Sequence, residues 1–159
     1  MPALIPLCLL WIIVGTCLSA IDIRQHRLPN RIVLPMYPVL VLALGLTGML
    51  SGNWPLVRSL TCATMWLAAI GLVWLVSGGK AMGFGDVKLA PLLGATLGWL
   101  SWDAGILGLM SCWLIAGLWA LGLLVARRVS LGSAIAFGPF MFLGLAIGIA
   151  FGGGFATAA

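Results

Sequence analysis

Polar residues along this chain gather in short clusters, and between the clusters run six stretches in which almost every position is apolar: about 3–21, 33–50, 59–77, 87–101, 104–126 and 134–155. A helix that crosses the hydrocarbon core of a bilayer needs roughly 20 such residues, so the pattern predicts about six transmembrane helices joined by short loops. The runs are uninterrupted and rich in Leu, Ala, Gly and Trp. Because a backbone in lipid must satisfy its own hydrogen bonds, such runs read as helices and not as the alternating strands of a barrel. The expected fold is all-α, a polytopic membrane helical bundle forming a single domain over residues 1–159. The fourth stretch is the shortest and carries Pro91, Gly94 and Gly98, so it is expected to start deep or to lie tilted. Gly94-x-x-x-Gly98 and Gly144-x-x-x-Gly148-x-x-x-Gly152 give small faces that let neighbouring helices approach closely.

Composition sharpens this reading. Hydrophobic residues make up 63% of the chain and charged residues 7%, with a mean hydropathy of +1.22. Soluble domains carry about a quarter charged residues, so a soluble protein is excluded. The basic residues divide unequally when loops are assigned to alternate sides. Arg24, Arg27, Arg31, Lys80, Lys88, Arg127 and Arg128 fall on one side and Arg58 alone on the other. That asymmetry places the first side in the cytoplasm and both termini outside. The first apolar stretch has no basic cluster before it, which predicts a retained span and not a cleaved secretory signal. The formal charge of +5 is explained by topology and by anionic lipid headgroups, so no nucleic-acid partner is expected. Trp54, Trp99 and Trp102 collect at the predicted outer boundary, where indole rings anchor helices.

Metal and nucleophile chemistry find little support. Cys8, Cys17, Cys62 and Cys112 are scattered singly, with no C-x-x-C pair, and His26 is the one histidine. No metal, no zinc site and no cofactor is expected. His26 lies in the basic run Arg24-Gln25-His26-Arg27 and reads as a solvated loop residue.

The carboxylates are more informative. The chain has no Glu and three Asp residues. Asp103, at the outer side, reads as a helix cap. Asp22 and Asp86 both lie at the predicted cytoplasmic boundary, each beside a basic cluster. Taken singly, Asp22 could end a span and Asp86 could cap the next helix, where the dipole favours an anion. Taken together with Gly83 and Gly85, which flank Phe84 and permit close backbone approach, they point to a site. Ionisable groups at a span edge facing a bundle interior are a functional hypothesis by default. Two carboxyls a few Å apart share a proton, so one serves as base and the other as acid. Such a pair activates water against a peptide carbonyl without metal or covalent adduct. Only tertiary packing between the first and fourth spans could bring Asp22 and Asp86 together.

The residues that carry this chemistry resemble a known family. Ala20-Ile21-Asp22-Ile23-Arg24, Arg27-Leu28-Pro29-Asn30, Gly78 through Leu89 with its Gly83-Phe84-Gly85-Asp86, and Ala136-Phe137-Gly138-Pro139-Phe140 are together similar to the type IV prepilin peptidases, in the same order along nearly the whole chain. The resemblance implies a polytopic aspartic endopeptidase that removes the basic leader of type IV or Flp/Tad-like prepilins at the cytoplasmic face of the bacterial inner membrane. It places the catalytic aspartates on Asp22 and Asp86 and the G-x-G-D motif on Gly83, Gly85 and Asp86. Larger members carry a cytoplasmic insertion with paired C-x-x-C motifs linked to zinc and N-methylation. This sequence shows no such motifs, which implies a peptidase-only form.

The other residues of the motifs have weaker readings. Lys88 stands two residues from Asp86, so the two do not face each other on a helix, and headgroup anchoring is its first reading, with substrate contact or modulation of an aspartate as the second. Pro29 and Asn30 stop the first span and cap the next. Gly138 and Pro139 lie near the start of the sixth span, where they could shape the site. The implied partners are the bilayer and a prepilin, whose apolar helix would dock sideways between spans; the pattern does not fix an oligomeric state. Two alternatives remain open at this point. A signal-peptide-peptidase-like intramembrane protease also uses Gly-x-Gly-Asp, though with a Tyr where this chain has Ile21. A non-enzymatic membrane protein that handles protons or cations would also need carboxylates, placed along a pathway near the midplane.

Overall fold

The computed structural model describes residues 5–25, 30–127 and 136–152. Among these residues there are six helices and no strand: α1 (Ile5–Gln25), α2 (Asn30–Ser51), α3 (Leu56–Val76), α4 (Phe84–Leu100), α5 (Trp102–Val125) and α6 (Gly138–Gly152). The chain is all-helical, and each helix falls on one of the six apolar stretches. Among the described residues, three segments are long and apolar enough to cross a membrane: Arg31–Ser51, Leu56–Val76 and Trp102–Val125. The 17 residues of α4 and the 15 of α6 are shorter than the roughly 20 that a perpendicular crossing needs.

The bundle is built around α4. Eleven of its seventeen residues are buried, and α3, α5, α2 and α6 all touch it. This explains the short fourth stretch with its glycines and proline: a helix enclosed by other helices needs close packing more than a bulky lipid-facing surface. A methyl group at Gly94 would lie 2.5 Å from the Cys62 carbonyl oxygen, and one at Gly98 2.8 Å from that of Arg58. No Cβ fits there, so α3 lies directly against α4. Gly148 plays the same part between α6 and α5, facing the Ala104 carbonyl oxygen. Both small-residue stripes therefore serve packing, as their spacing predicts.

Many large apolar side chains also point outward. Val76 is 80% exposed, and Leu50 and Val57 are each 78% exposed, the reverse of a soluble protein and the surface a bilayer would cover. Inside, two buried polar side chains bond to the backbone of neighbouring helices. Trp66 Nε1 donates to the Gly105 carbonyl at 3.0 Å and Ser59 Oγ to that of Ala95 at 2.8 Å.

The end of the bundle far from the aspartates is fixed by two residues that the sequence pattern did not single out as structural. Arg58 donates from Nε to the Gly98 carbonyl and from Nη2 to those of Trp99 and Leu100, at 2.6, 2.7 and 2.9 Å. It thereby satisfies the open carbonyls at the α4 C-terminus, where a cation is favoured. Ser101 alone joins α4 to α5; its hydroxyl accepts from Ala104 N at 2.9 Å and donates to the Gly152 carbonyl at 2.7 Å. Ser101, not Asp103, is thus the cap of α5. Asp103 is the second residue of the helix, in its first turn, where its charge suits the positive end. Trp54 and Trp102 are half-exposed at this end, whereas Trp99 is buried and meets Trp54 edge-on.

Candidate functional site

One hydrogen bond sets the level of the two aspartates. Trp11 Nε1 donates to Thr96 Oγ1 at 3.1 Å, with both groups buried, and this pins α1 against α4. Asp22 lies eleven residues on from Trp11, and Asp86 ten residues back from Thr96. At 1.5 Å per residue these are about 16 and 15 Å along two antiparallel helices. The carboxyl groups therefore arrive at the same height, and the charge of Asp22 acts on Asp86. Helix α6 keeps the same register. Its Gly148 packs on Leu97 of α4, which puts Gly138, ten residues earlier, level with Asp86.

Both carboxylates are enclosed: Asp22 is 3% and Asp86 2% exposed. Helix α1 continues through Gln25, so Asp22 sits on its last full turn and not in a loop. The fourth helix begins at Phe84, three residues before its apolar run, and this places Asp86 in the first turn. The early start has a local cause. Asp86 N donates to the Gly83 carbonyl at 3.1 Å, and Gly83 N donates to Asp86 Oδ2 at 3.1 Å, a reciprocal pair that closes the N-terminus. Asp86 Oδ1 is buried and has no hydrogen-bond partner among the described residues.

The glycine-rich segment before α4 divides its work in an unexpected way. The left-handed backbone falls on Gly78 and Gly79, at φ 61° and 75°, and turns the chain after α3. Gly83 has φ −75° and ψ 150°, a conformation open to any residue, and contributes through its N–H and carbonyl.

The sixth helix brings in the third component. Gly138 N donates to Asp22 Oδ2 at 2.9 Å, so the first amide of α6 holds one oxygen of the α1 carboxylate. A methyl group at Gly138 would lie 2.8 Å from that same oxygen. The approach is possible only without a side chain. Trp113 and Phe137 pack at 5.3 Å between ring centroids, and Trp119 and Phe140 at 6.4 Å, which seats the start of α6 against α5. Pro139 follows as the second residue of α6, where its missing N–H costs nothing.

Lys88 reaches back over the first residue of its own helix. Its ammonium stands 4.8 Å from the centre of the Phe84 ring, and Trp74 packs on the same ring at 5.1 Å. Its backbone carbonyl accepts from the Tyr37 hydroxyl at 2.8 Å, which ties α2 to the first turns of α4. Asn30 is the first residue of α2. Pro29, His26 and Arg128 lie outside the described residues. Among those described, no group of three His, Cys, Asp or Glu side chains gathers as a metal site would.

Of the residues singled out in the sequence, the structure thus brings together Asp22, Asp86, Gly83 and Gly138. Tyr37 and the Trp11–Thr96 pair position them and carry no signal in a single sequence, because each is an ordinary residue of an apolar run.

A model of the type IV leader peptidase family matches residues 8–157. The chain belongs to the type IV leader peptidase family. It is 36% identical over 144 residues to a Pseudomonas putida protein named prepilin leader peptidase/N-methyltransferase, an alignment covering 87% of this chain and 46% of that protein. A protein of the same name from Aeromonas salmonicida strain A449 is 32% identical over 139 residues, covering 85% and 45%. One from Escherichia coli K12 is 30% identical over 149 residues, covering 84% and 58%. The chain thus spans about half the length of the curated relatives it matches. No solved structure matches it. Asp22, Asp86 and Gly138 all lie inside the stretch shared with the leader peptidase family.

Proposed function

We propose that this chain is an aspartic endopeptidase that removes the leader of type IV or Flp/Tad-like prepilins, with Asp22 and Asp86 as its catalytic pair, at the cytoplasmic face of the bacterial inner membrane. The reading rests on one observation: two buried carboxylates from distant helices stand at one level, each with an oxygen held by a backbone amide. Two enclosed carboxyls whose charges act on one another hold one proton between them. The ionised member takes a proton from water as the water oxygen attacks the scissile carbonyl carbon. The protonated member gives its proton to the carbonyl oxygen, for which the unpartnered Asp86 Oδ1 is suitably free. Collapse of the tetrahedral intermediate breaks the C–N bond: the leaving nitrogen takes the proton held by the first carboxyl, and a hydroxyl of the intermediate returns its proton to the second. The products are the leader carboxylate and the new amino terminus, and the shared-proton state returns.

The peptide-bond chemistry needs fixed carboxylates, and the fold supplies the fixing. Gly138 N–H orients Asp22 and Gly83 N–H orients Asp86, so neither side chain must be ordered at the moment of reaction. The location at one end of the bundle, in the first turn of α4 and the last of α1, suits a cut at the membrane surface better than proton passage through the midplane. Support for the cytoplasmic side comes from the basic residues: Arg31, Lys80, Lys88 and Arg127 share the end of the bundle that holds the aspartates, and Arg58 stands at the other.

The test is cleavage of a co-expressed prepilin in membranes. Asp22→Asn and Asp86→Asn are each expected to lower the rate by about 10³-fold or more, with unchanged membrane insertion and thermal unfolding. Normal processing by either variant would refute the assignment.

A further inference from the structure

A groove of about 720 Å³ runs between α1 and α6. We infer that this groove holds the apolar helix of the substrate during cleavage, with that helix parallel to α6 and its N-terminal end at the two aspartates; the inference rests on the peptidase reading above. The groove is nearly all carbon. Its lining includes two pairs of small residues one helical turn apart, Thr16 and Ala20 on α1 and Ala146 and Ala150 on α6, all four exposed, together with the larger Ile12, Leu143 and Ile149. Two such tracks facing one trough let a third helix approach as closely as glycine-faced helices do. Thr16 offers the trough no spare donor, because its hydroxyl is bonded to the Ile12 and Ile13 carbonyls of its own helix at 2.8 and 2.9 Å. At the floor, the Phe142 ring fills the space left by Gly15 and packs against Trp11.

One end of the groove lies at the level of the carboxylate site. Ala20 stands two residues before Asp22, and Pro139 follows Gly138, whose amide holds Asp22. From Trp11 to Ala20 is about 14 Å of helix and from Pro139 to Ala150 about 16 Å. The trough thus grips about ten residues, half the ~30 Å hydrocarbon core, and opens sideways to lipid. Those dimensions and that polarity fit an apolar helix already resident in the bilayer. A prepilin carries its leader N-terminal to the apolar helix. With the cut at Asp22 and Asp86, the helix must therefore run away from the carboxylates along α6 in the same direction.

Photocrosslinking in membranes tests this. A benzophenone side chain is placed in turn at Ile12 and Leu143, on the rim of the groove, and at Leu118 and Val57, exposed on other helices. Each is combined with Asp22→Asn to retain uncut substrate, and the unaltered chain is assayed in parallel for prepilin cleavage. Cleavage by the unaltered chain, with adducts to the apolar helix of the prepilin about tenfold stronger from the two groove positions, is the expected result. Cleavage with equal or stronger adducts from Leu118 or Val57 overturns the groove while leaving the peptidase reading intact, as do groove adducts only to lipid or to a second copy of the chain. No cleavage by the unaltered chain overturns the peptidase reading instead. The paired variant Ala146→Leu with Ala150→Leu is expected to raise KM for the prepilin about tenfold with kcat nearly unchanged; an unaltered KM with Leu side chains filling the trough also overturns the proposal.

Discussion

At Gly138, the absence of a side chain and the presence of an amide act together. The N–H reaches Asp22 Oδ2 at 2.9 Å because nothing stands between them, and an added methyl would come within 2.8 Å of the same oxygen. Gly138→Ala is therefore expected to push the Asp22 carboxylate off its partner and lower prepilin cleavage about 10²-fold, the usual cost of a misplacement near 1 Å. Thermal unfolding in detergent should change little, since the methyl meets a side chain and not backbone. A rate within twofold of the parent would show that this contact does not orient the reacting group. The sequence marks Gly138 only as part of a Gly-Pro pair at a helix start; its contact with Asp22 is across 116 positions and leaves no local pattern.

Helix ends decide how the elements meet. α4 and α5 are separated by the single residue Ser101, whose hydroxyl caps α5 and also bonds the last turn of α6. Ser101→Ala removes both bonds and is expected to cost about 1 kcal/mol of stability, read as a fall in the thermal midpoint with cleavage retained at low temperature. At the middle of the same helix, Gly94→Leu drives a side chain into the Cys62 carbonyl oxygen and the Trp66 ring. Overpacking of this kind costs about 1–3 kcal/mol and separates α3 from α4; a variant as stable as the parent would show that the two helices do not touch along this face. Helix positions were legible from apolar runs alone. Helix starts were not, because the reciprocal bonds between Gly83 and Asp86 begin α4 three residues before the hydrophobic pattern does.

For the whole molecule, charge and register point to one arrangement. The basic residues Arg31, Lys80, Lys88 and Arg127 stand at the aspartate end, and Arg58 binds the α4 C-terminus at the other. A cysteine introduced at Lys80, in the exposed connection before α4, is expected to react with a membrane-impermeant thiol reagent only when the cytoplasmic face is accessible, and one at Asn53 only from the opposite face. Labelling with the reverse sidedness would move the site to the outer leaflet and remove the prepilin leader from its reach. Helix α4 anchors this arrangement. Its burial on almost every side is why a stretch that looked marginal as a span proves to be the centre of the bundle.

The all-helical class, the order of the six helices among the described residues, the small-residue packing faces and the position of Asp22 and Asp86 at helix ends were legible in the chain, since each is written in composition, in short-range spacing or in contiguous motifs. The tertiary structure alone decided that Asp22 and Asp86 share a level, that the first amide of α6 holds Asp22, and that a trough beside them lies open. Those facts depend on side chains far apart in the chain, such as Trp11 against Thr96 and Gly148 against Leu97. Close packing between helices fixes such contacts, and a periodic apolar pattern leaves their rotation and register undetermined.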